Sequence, residues 1–109
     1  MADLLGTFEQ SVLLSILNLG EGAYGRAILN GVQESLQRRI SAGAVYSTLE
    51  RLEASGLVRS RLEAGTAVRG GRARRYYNVP AGGRRALSET RRALTAIWGN
   101  VELRAEARP

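Results

Sequence analysis

The chain has 109 residues, 44% of them hydrophobic and 24% charged, which is the composition of one globular domain. It contains neither Cys nor His, which excludes disulfides, Cys/His metal sites and His-based catalysis. We therefore expect a protein that is not an enzyme and needs no metal or cofactor. No apolar run approaches the roughly 18 residues of a membrane span, and residues 1–5 lack the basic start of a signal peptide. We expect a cytoplasmic protein that does not bind membranes.

The positive charge is concentrated in one segment. All sixteen basic residues are Arg, and the segment from Arg59 to Arg85 holds eight of them with a single Glu, a net charge of +7. The remaining 82 residues have a net charge of −1. A GC-rich genome would explain Arg in place of Lys, but it does not explain the clustering. Because guanidinium groups bind phosphate and guanine edges in a bidentate manner, the segment indicates a polyanionic partner.

Two helices are predicted at the start of the chain. Thr7 and Gln10 have the spacing of a capping box that begins the first helix, and apolar residues recur behind them at helical spacing. The Gly-rich residues 20–22 end this helix. The second helix is predicted over about residues 23–37, although the Asn30-Gly31 pair inside it lowers the helix propensity.

The third helix has the clearest boundaries. Ser41 is a favourable N-cap, and the helix is predicted to end at Ser55 with Gly56 as its C′ residue. Its apolar residues fall on one side, and the opposite side carries small and polar residues with Tyr46 at its flank. The apolar residues are Val45, Leu49 and Leu52, and the opposite ones are Gly43, Ser47 and Glu50.

A β-hairpin and a long helix complete the predicted fold. Two strands are predicted over residues 57–62 and 72–79, and Pro80 begins a last helix that runs to about Glu106. The order of elements is that of a winged helix-turn-helix, an α+β fold that is mostly α-helical. We expect a DNA-binding domain over residues 1–79 and a C-terminal dimerisation helix over residues 80–109.

The last helix carries an apolar stripe of its own. Leu87, Leu94 and Val101 are spaced by seven residues, Ile97 lies between them and Trp98 is adjacent. The small domain has little surface left to cover this stripe, so we expect a homodimer formed through it. The alternative is that the helix folds back on the first helix.

Three motifs resemble the PadR family of transcriptional regulators. Residues 43–53 with Gly56-Leu57-Val58 are similar to the family pattern G-T-L-Y-P-x-L-x-R-L-E followed by G-L-I, and residues 71–79 are similar to G-P-x-R-K-Y-Y-x-L. Tyr24-Gly25 with Ile28 is similar to Y-G-x-x-I. The chain departs from these patterns at Ala44, Ser47 and Arg72, where the family has Thr, Pro and Pro, so the operator sequence does not carry over. The resemblance covers about residues 4–87 and implies a winged helix, double-stranded DNA as the partner and a C-terminal dimerisation helix.

The resemblance and the charge pattern together predict the functional residues. The start of the third helix is expected in the major groove, and the wing is expected along the phosphates or in the minor groove. The ordinary alternatives are a solvated helix face, a solvated charge run, and packing of Tyr24 on the third helix. The predicted DNA-binding residues are Tyr24, Ser41, Ala42, Gly43, Tyr46, Ser47, Arg69, Arg72, Arg74 and Arg75.

The predicted function is that of a homodimeric repressor that binds a pseudo-palindromic operator. The resemblance to the PadR family implies a small hydrophobic effector between the two C-terminal helices, although Trp98 in a helix seam is more often a packing residue. The predicted dimer and effector residues are Leu87, Leu94, Ile97, Trp98 and Val101. The alternatives are a winged-helix module that binds other proteins and a protein that binds nucleic acid without sequence preference.

Overall fold

The computed structural model describes residues 4–65 and 70–104. Its elements confirm the predicted mostly helical α+β winged helix, with four helices and one two-stranded antiparallel sheet. A 3₁₀ turn, Gly20–Gly22, lies between the first two helices. The elements in chain order are α1 (Thr7–Leu19), α2 (Gly25–Leu36), α3 (Ala42–Ala54), β1 (Arg59–Glu63), β2 (Arg74–Asn78) and α4 (Ala81–Trp98).

The structure confirms the predicted N-cap of α3 and corrects the predicted start of α1. The hydroxyl of Ser41 accepts a hydrogen bond from the Ala44 amide at 3.1 Å, as an N-cap does. In α1 the N-cap is Gly6 and not Thr7, and the carboxylate of Glu9 accepts the Gly6 amide at 2.9 Å. The side chain that accepts the N-cap amide is therefore that of Glu9, one residue before the predicted Gln10.

The second helix begins two residues later than predicted. The Tyr77 amide donates a hydrogen bond to the Ala23 carbonyl at 2.8 Å, and Tyr24 forms a β-bridge with Tyr76. Tyr24 is thus extended, and both residues 23 and 24 bond to β2, which removes them from the helix. α2 continues through Gly31, the residue at which the prediction was weakest. Gly31 packs against α1, where a Cβ would come within 3.1 Å of the Ser15 hydroxyl.

The core lies between the three helices and the sheet. Each helix contributes its apolar side, and β2 adds Tyr77 while the connection to α4 adds Val79. Burial of these side chains supplies the main stabilising term for a domain of this size. The fully or nearly fully buried apolar residues of the three helices are Val12, Leu13, Ile16, Ile28, Val32, Val45, Leu49 and Leu52.

The hairpin is shorter than the predicted strands. β1 begins at Arg59, because the Leu57 amide bonds back to the Leu52 carbonyl in the turn that follows α3. β2 begins at Arg74 because its first pairing partner, Glu63, is the last residue of β1. The loop was predicted over residues 64–71, whereas the strands are separated by residues 64–73, of which residues 66–69 lie outside the described part of the chain.

The last helix ends eight residues before its predicted end. Gly99 has φ +53° and its amide bonds to the Thr95 carbonyl, so it terminates α4 directly after Trp98. Val101 therefore lies beyond the helix and does not continue the seven-residue stripe. The prediction overlooked Gly99-Asn100 as a stop signal.

The first half of α4 packs against its own domain. Gly83 allows close approach, because a Cβ there would collide with the Leu57 carbonyl and Val79. The hydroxyl of Thr90, itself buried, accepts the Leu5 amide at 3.1 Å. None of the helices in the described ranges is long and apolar enough to cross a membrane.

Candidate nucleic-acid interface

The exposed face of α3 is made of small and polar residues. Val45 and Leu49 point into the core from its other face. A Cβ added at Gly43 would meet no heavy atom within 4 Å, so nothing in the described chain covers the backbone there. A ligand can therefore contact the first turns of α3 directly. The predicted DNA-binding residues exposed on or beside this helix are Ser41, Ala42, Gly43, Tyr46 and Ser47.

Tyr46 leans from α3 onto the start of α2. Its side chain is 43% exposed, but the hydroxyl end of its ring lies on Gly25, where any Cβ would collide with it. The glycine of the Tyr24-Gly25 motif therefore has a physical role, because it makes room for this ring. Tyr46 presents a ring edge at the interface, and its hydroxyl is held beside the α2 backbone.

A stack of two arginines and two tyrosines covers one side of the wing. The rings of Tyr24 and Tyr76 lie 5.9 Å apart at 58°. The guanidinium of Arg74 lies 3.9 Å from the centre of the Tyr24 ring, and that of Arg61 lies 5.1 Å from the centre of the Tyr76 ring. Each cation–π contact contributes about 0.5–1 kcal/mol at an exposed site. We call these four residues the wing stack.

The wing stack corrects one expectation and adds one residue. Tyr24 packs on the wing, where packing on the third helix had been the alternative to DNA contact. Arg61 was not among the predicted residues, although it lies directly opposite Tyr76 in the sheet register. The signal that would have identified it is the cross-strand pairing of a guanidinium with an aromatic ring.

The other side of the sheet holds Arg75 and Tyr77, as alternation along the strand predicts. The guanidinium of Arg75 donates to the Ser60 hydroxyl at 3.0 Å, and this hydroxyl donates to the Glu53 carboxylate at 2.7 Å. Arg75 therefore links the wing to the last turn of α3. Tyr77 is the core tyrosine; its burial raises the pKa of its phenol, and the nearby Arg75 charge lowers it in part.

The remaining wing residues lie toward the loop. Arg72 is exposed just before β2, and Arg69 lies outside the described residues. Arg74, Arg61 and Arg72 thus bring three guanidinium groups to the two strands and the adjoining loop. The arrangement concentrates positive charge beside the exposed start of α3, to which it is joined through the contact between Tyr46 and the Tyr24-Gly25 segment.

A separate apolar groove lies between α1 and α4. Leu87 is half-buried on the domain, whereas the last two turns of α4 leave Leu94, Ile97 and Trp98 exposed by 40%, 71% and 50%. Leu14 of α1 is also exposed and lines the same groove as Leu94 and Trp98. Val101 is exposed beyond the helix end. Within the described ranges no group of three or more acidic residues could hold a metal ion.

Most of this chain matches a known protein family. The model of the PadR-like family of transcriptional regulators matches residues 13–89. The transcriptional regulator Rv3488 of Mycobacterium tuberculosis is 52% identical over 63 residues, which cover 58% of this chain and 55% of that protein. The chain thus spans about half the length of this curated relative.

Solved structures share the fold. A PadR family transcriptional regulator from Eggerthella lenta is 29% identical, with a TM-score of 0.63 over 79% of this chain and 72% of that one. The Aeropyrum pernix Orc1 protein, solved in complex with DNA, is 24% identical, with a TM-score of 0.62 over 84% of this chain and 26% of that one. The second likeness is one of fold alone.

Replacing the Tyr24 ring tests whether the wing stack holds the wing in place. Tyr24→Leu removes both the ring pair and the cation–π contact without changing the net charge, so we expect a loss of about 1–2 kcal/mol in unfolding free energy. Backbone amides of residues 74–78 should exchange with deuterium faster than in the parent protein. Tyr24→Phe keeps the ring and should behave as the parent does. Equal exchange in the Leu and Phe variants would show that the stack does not fix the wing.

Proposed function

Since this chain belongs to the PadR-like family of transcriptional regulators, we propose that it binds double-stranded DNA and acts as a sequence-specific repressor. Family membership confirms the resemblance carried by the three motifs. It also confirms the expectation that the protein is not an enzyme, because the family and the curated relative are transcriptional regulators. We propose a cytoplasmic location, because the DNA on which such a regulator acts lies there.

The observation that carries the proposal is the continuity of the exposed face of α3 with the wing stack. The start of α3 offers uncovered backbone at Gly43 and a polar side chain at Ser47, which suit contact with base edges and phosphates. The Tyr46 ring packs on Gly25, and the guanidinium of Arg74 lies over the ring of the adjacent Tyr24. A duplex that receives α3 in its major groove would therefore meet the Arg-bearing wing beside it.

The same surface argues against the two alternative functions. A module that binds proteins needs an apolar face on α3, whereas this face carries Gly43, Ser47 and Glu50. Packaging of nucleic acid without sequence preference needs only the positive charge. It leaves unexplained why the uncovered backbone and hydroxyl of α3 lie beside that charge.

The exposed end of α4 supports a homodimer. Leu94, Ile97 and Trp98 form an apolar surface that the domain itself leaves uncovered, and surfaces of this kind mark interfaces. We place a second copy on this surface, with Leu87 at its inner end. Two-fold symmetry then leads to a pseudo-palindromic operator whose half-sites lie about one helical turn apart.

The groove beside Trp98 is where we propose that an effector binds. A small hydrophobic compound between the two copies would change the crossing of the α4 helices and so the separation of the two α3 helices. Trp98 is the only Trp in the chain, so its fluorescence reports on this groove without interference. Hydrophobic compounds that release the protein from DNA should change the Trp98 emission. Constant emission in the presence of such compounds would contradict this site.

Substitutions in the two parts of the interface test the proposed function. Arg74→Ala and Tyr46→Ala should each weaken binding to a duplex from upstream of the protein's own gene by about tenfold, or ~1.4 kcal/mol. Fluorescence anisotropy measures the Kd. Arg92→Ala removes the same charge from an exposed site on α4 and should change the Kd by much less. Parent-like affinity in both interface variants would mean that DNA binds elsewhere or not at all.

A charged residue on the exposed end of α4 tests the dimer. Leu94→Asp should give monomers in sedimentation velocity, because an unpaired carboxylate would be buried in the interface. Leu62→Asp places the same charge on an exposed Leu of the wing and should leave the sedimentation coefficient of the parent unchanged. A dimer of undiminished stability in the Leu94 variant would contradict the α4 interface.

A further inference from the structure

The turn between α2 and α3 carries two arginines for which the wing and the face of α3 do not account. Arg38 and Arg39 are consecutive and both exposed. Among the described residues, the ion pairs join Arg51 to Glu9, Arg61 to Glu63 and Arg104 to Glu102, and neither arginine of this turn has a carboxylate within 4.0 Å. We call Arg38 and Arg39 the turn patch.

The turn patch is held in a fixed geometry. The side-chain oxygen of Gln33 accepts the Ile40 amide at 2.9 Å, and its backbone carbonyl accepts the Arg38 amide at 3.3 Å. Gln37, which lies between Gln33 and Arg38 in the chain, has φ +56°, the one positive φ at a non-glycine residue in the described ranges. A conformation of this kind costs about 1–2 kcal/mol and persists where its surroundings fix it. The arginines therefore follow a backbone turn that the two hydrogen bonds of Gln33 define.

Two shallow concavities meet at the turn patch. One is bordered by Gln33 and Glu34 of α2, and the other by Phe8 and Ala44. Both concavities share Arg38, Arg39, Ile40 and Ser41. The second contains no acidic residue, so a bound anion is favoured on the side of the turn patch that faces α3.

The turn patch and the side of the wing that carries Ser60 and Arg75 lie at opposite ends of α3. The turn patch precedes Ser41 at the helix start, whereas Arg75 and Ser60 reach Glu53 in its last turn. A helix of 13 residues is about 20 Å long, which exceeds the ~12 Å width of the major groove. A helix of this length that crosses the groove would bring groups at its two ends close to the phosphates that border the groove.

We propose that Arg38 and Arg39 bind backbone phosphates of the DNA next to the half-site that α3 reads. This inference rests on the proposed function and adds a second phosphate contact to that of the wing. Both side chains are exposed and have no ion-pair partner among the described residues, so the contact requires little desolvation. Contacts to phosphate position the protein without reading sequence, so the turn patch adds affinity equally for every duplex.

The salt dependence of DNA binding distinguishes this role. In the variant Arg38→Ala/Arg39→Ala, each lost phosphate contact should lower the slope of log K against log salt concentration by about 0.9. Affinity at 0.15 M salt should fall roughly tenfold, and by the same factor for the upstream duplex and for a scrambled duplex. Arg38→Lys/Arg39→Lys keeps the charge and should retain most of the slope. Arg92→Ala/Arg104→Ala removes two charges from exposed sites at the C-terminal end and should leave the slope nearly unchanged.

Each of the other outcomes overturns the inference in a recognisable way. Parent-like binding by the turn-patch variant, with weakened binding by Arg74→Ala, would reject the turn patch and leave the proposed function intact. A loss confined to the upstream duplex would mean that the arginines read bases and not phosphates. Absence of binding by the parent protein to both duplexes at low salt would reject the proposed function and this inference together. Thermal unfolding of each variant shows that the fold is retained.

Discussion

The pairing of β2 with the two residues before α2 is the interaction on which the candidate interface depends. A hydrogen bond between the Tyr77 amide and the Ala23 carbonyl, together with the Tyr24–Tyr76 bridge, attaches the hairpin to the helical domain. A two-stranded hairpin is marginal on its own in water. The attachment places Tyr77 in the core and turns Tyr76 toward Tyr24, so one pairing fixes the burial of one tyrosine and the stacking of the other.

The wing stack shows how a domain of this size can hold dense positive charge. Arg74 and Arg61 lie over aromatic rings, which attract the cations, and Arg61 also forms an ion pair with Glu63 at 3.5 Å. Arg75 is used differently, because its bond to Ser60 joins the wing to Glu53 of α3. These three arginines of the wing therefore divide into two that lie over aromatic rings and one that hydrogen-bonds to Ser60, which in turn contacts α3.

The sequence predicted most of the fold because its strongest signals are local. Ser41 and Gly56 bound α3, and the change from helical to alternating periodicity marks the hairpin. The errors occurred where tertiary contacts or a weaker local signal decided the boundary. Ala23 and Tyr24 join β2 and not α2, and Gly99 ends α4 before the stripe reaches Val101.

The site was less predictable than the fold for a related reason. Spacing alone could place the arginines on the wing, but it could not show that Tyr24 would reach Arg74 or that Tyr46 would lie on Gly25, since these contacts join distant parts of the chain. The same limit applies to the turn patch. Arg38 and Arg39 are unremarkable in the sequence, and their fixed presentation beside α3 depends on the hydrogen bonds of Gln33.

The most direct test of this account is the affinity of the unaltered protein for two duplexes across a salt series. One duplex comes from upstream of the protein's own gene, and the other is a scrambled sequence of the same length and composition. The account predicts a preference of roughly a thousandfold for the first, with a steep loss of affinity as the salt concentration rises. Equal affinity for both duplexes, or no binding to either at low salt, would contradict it.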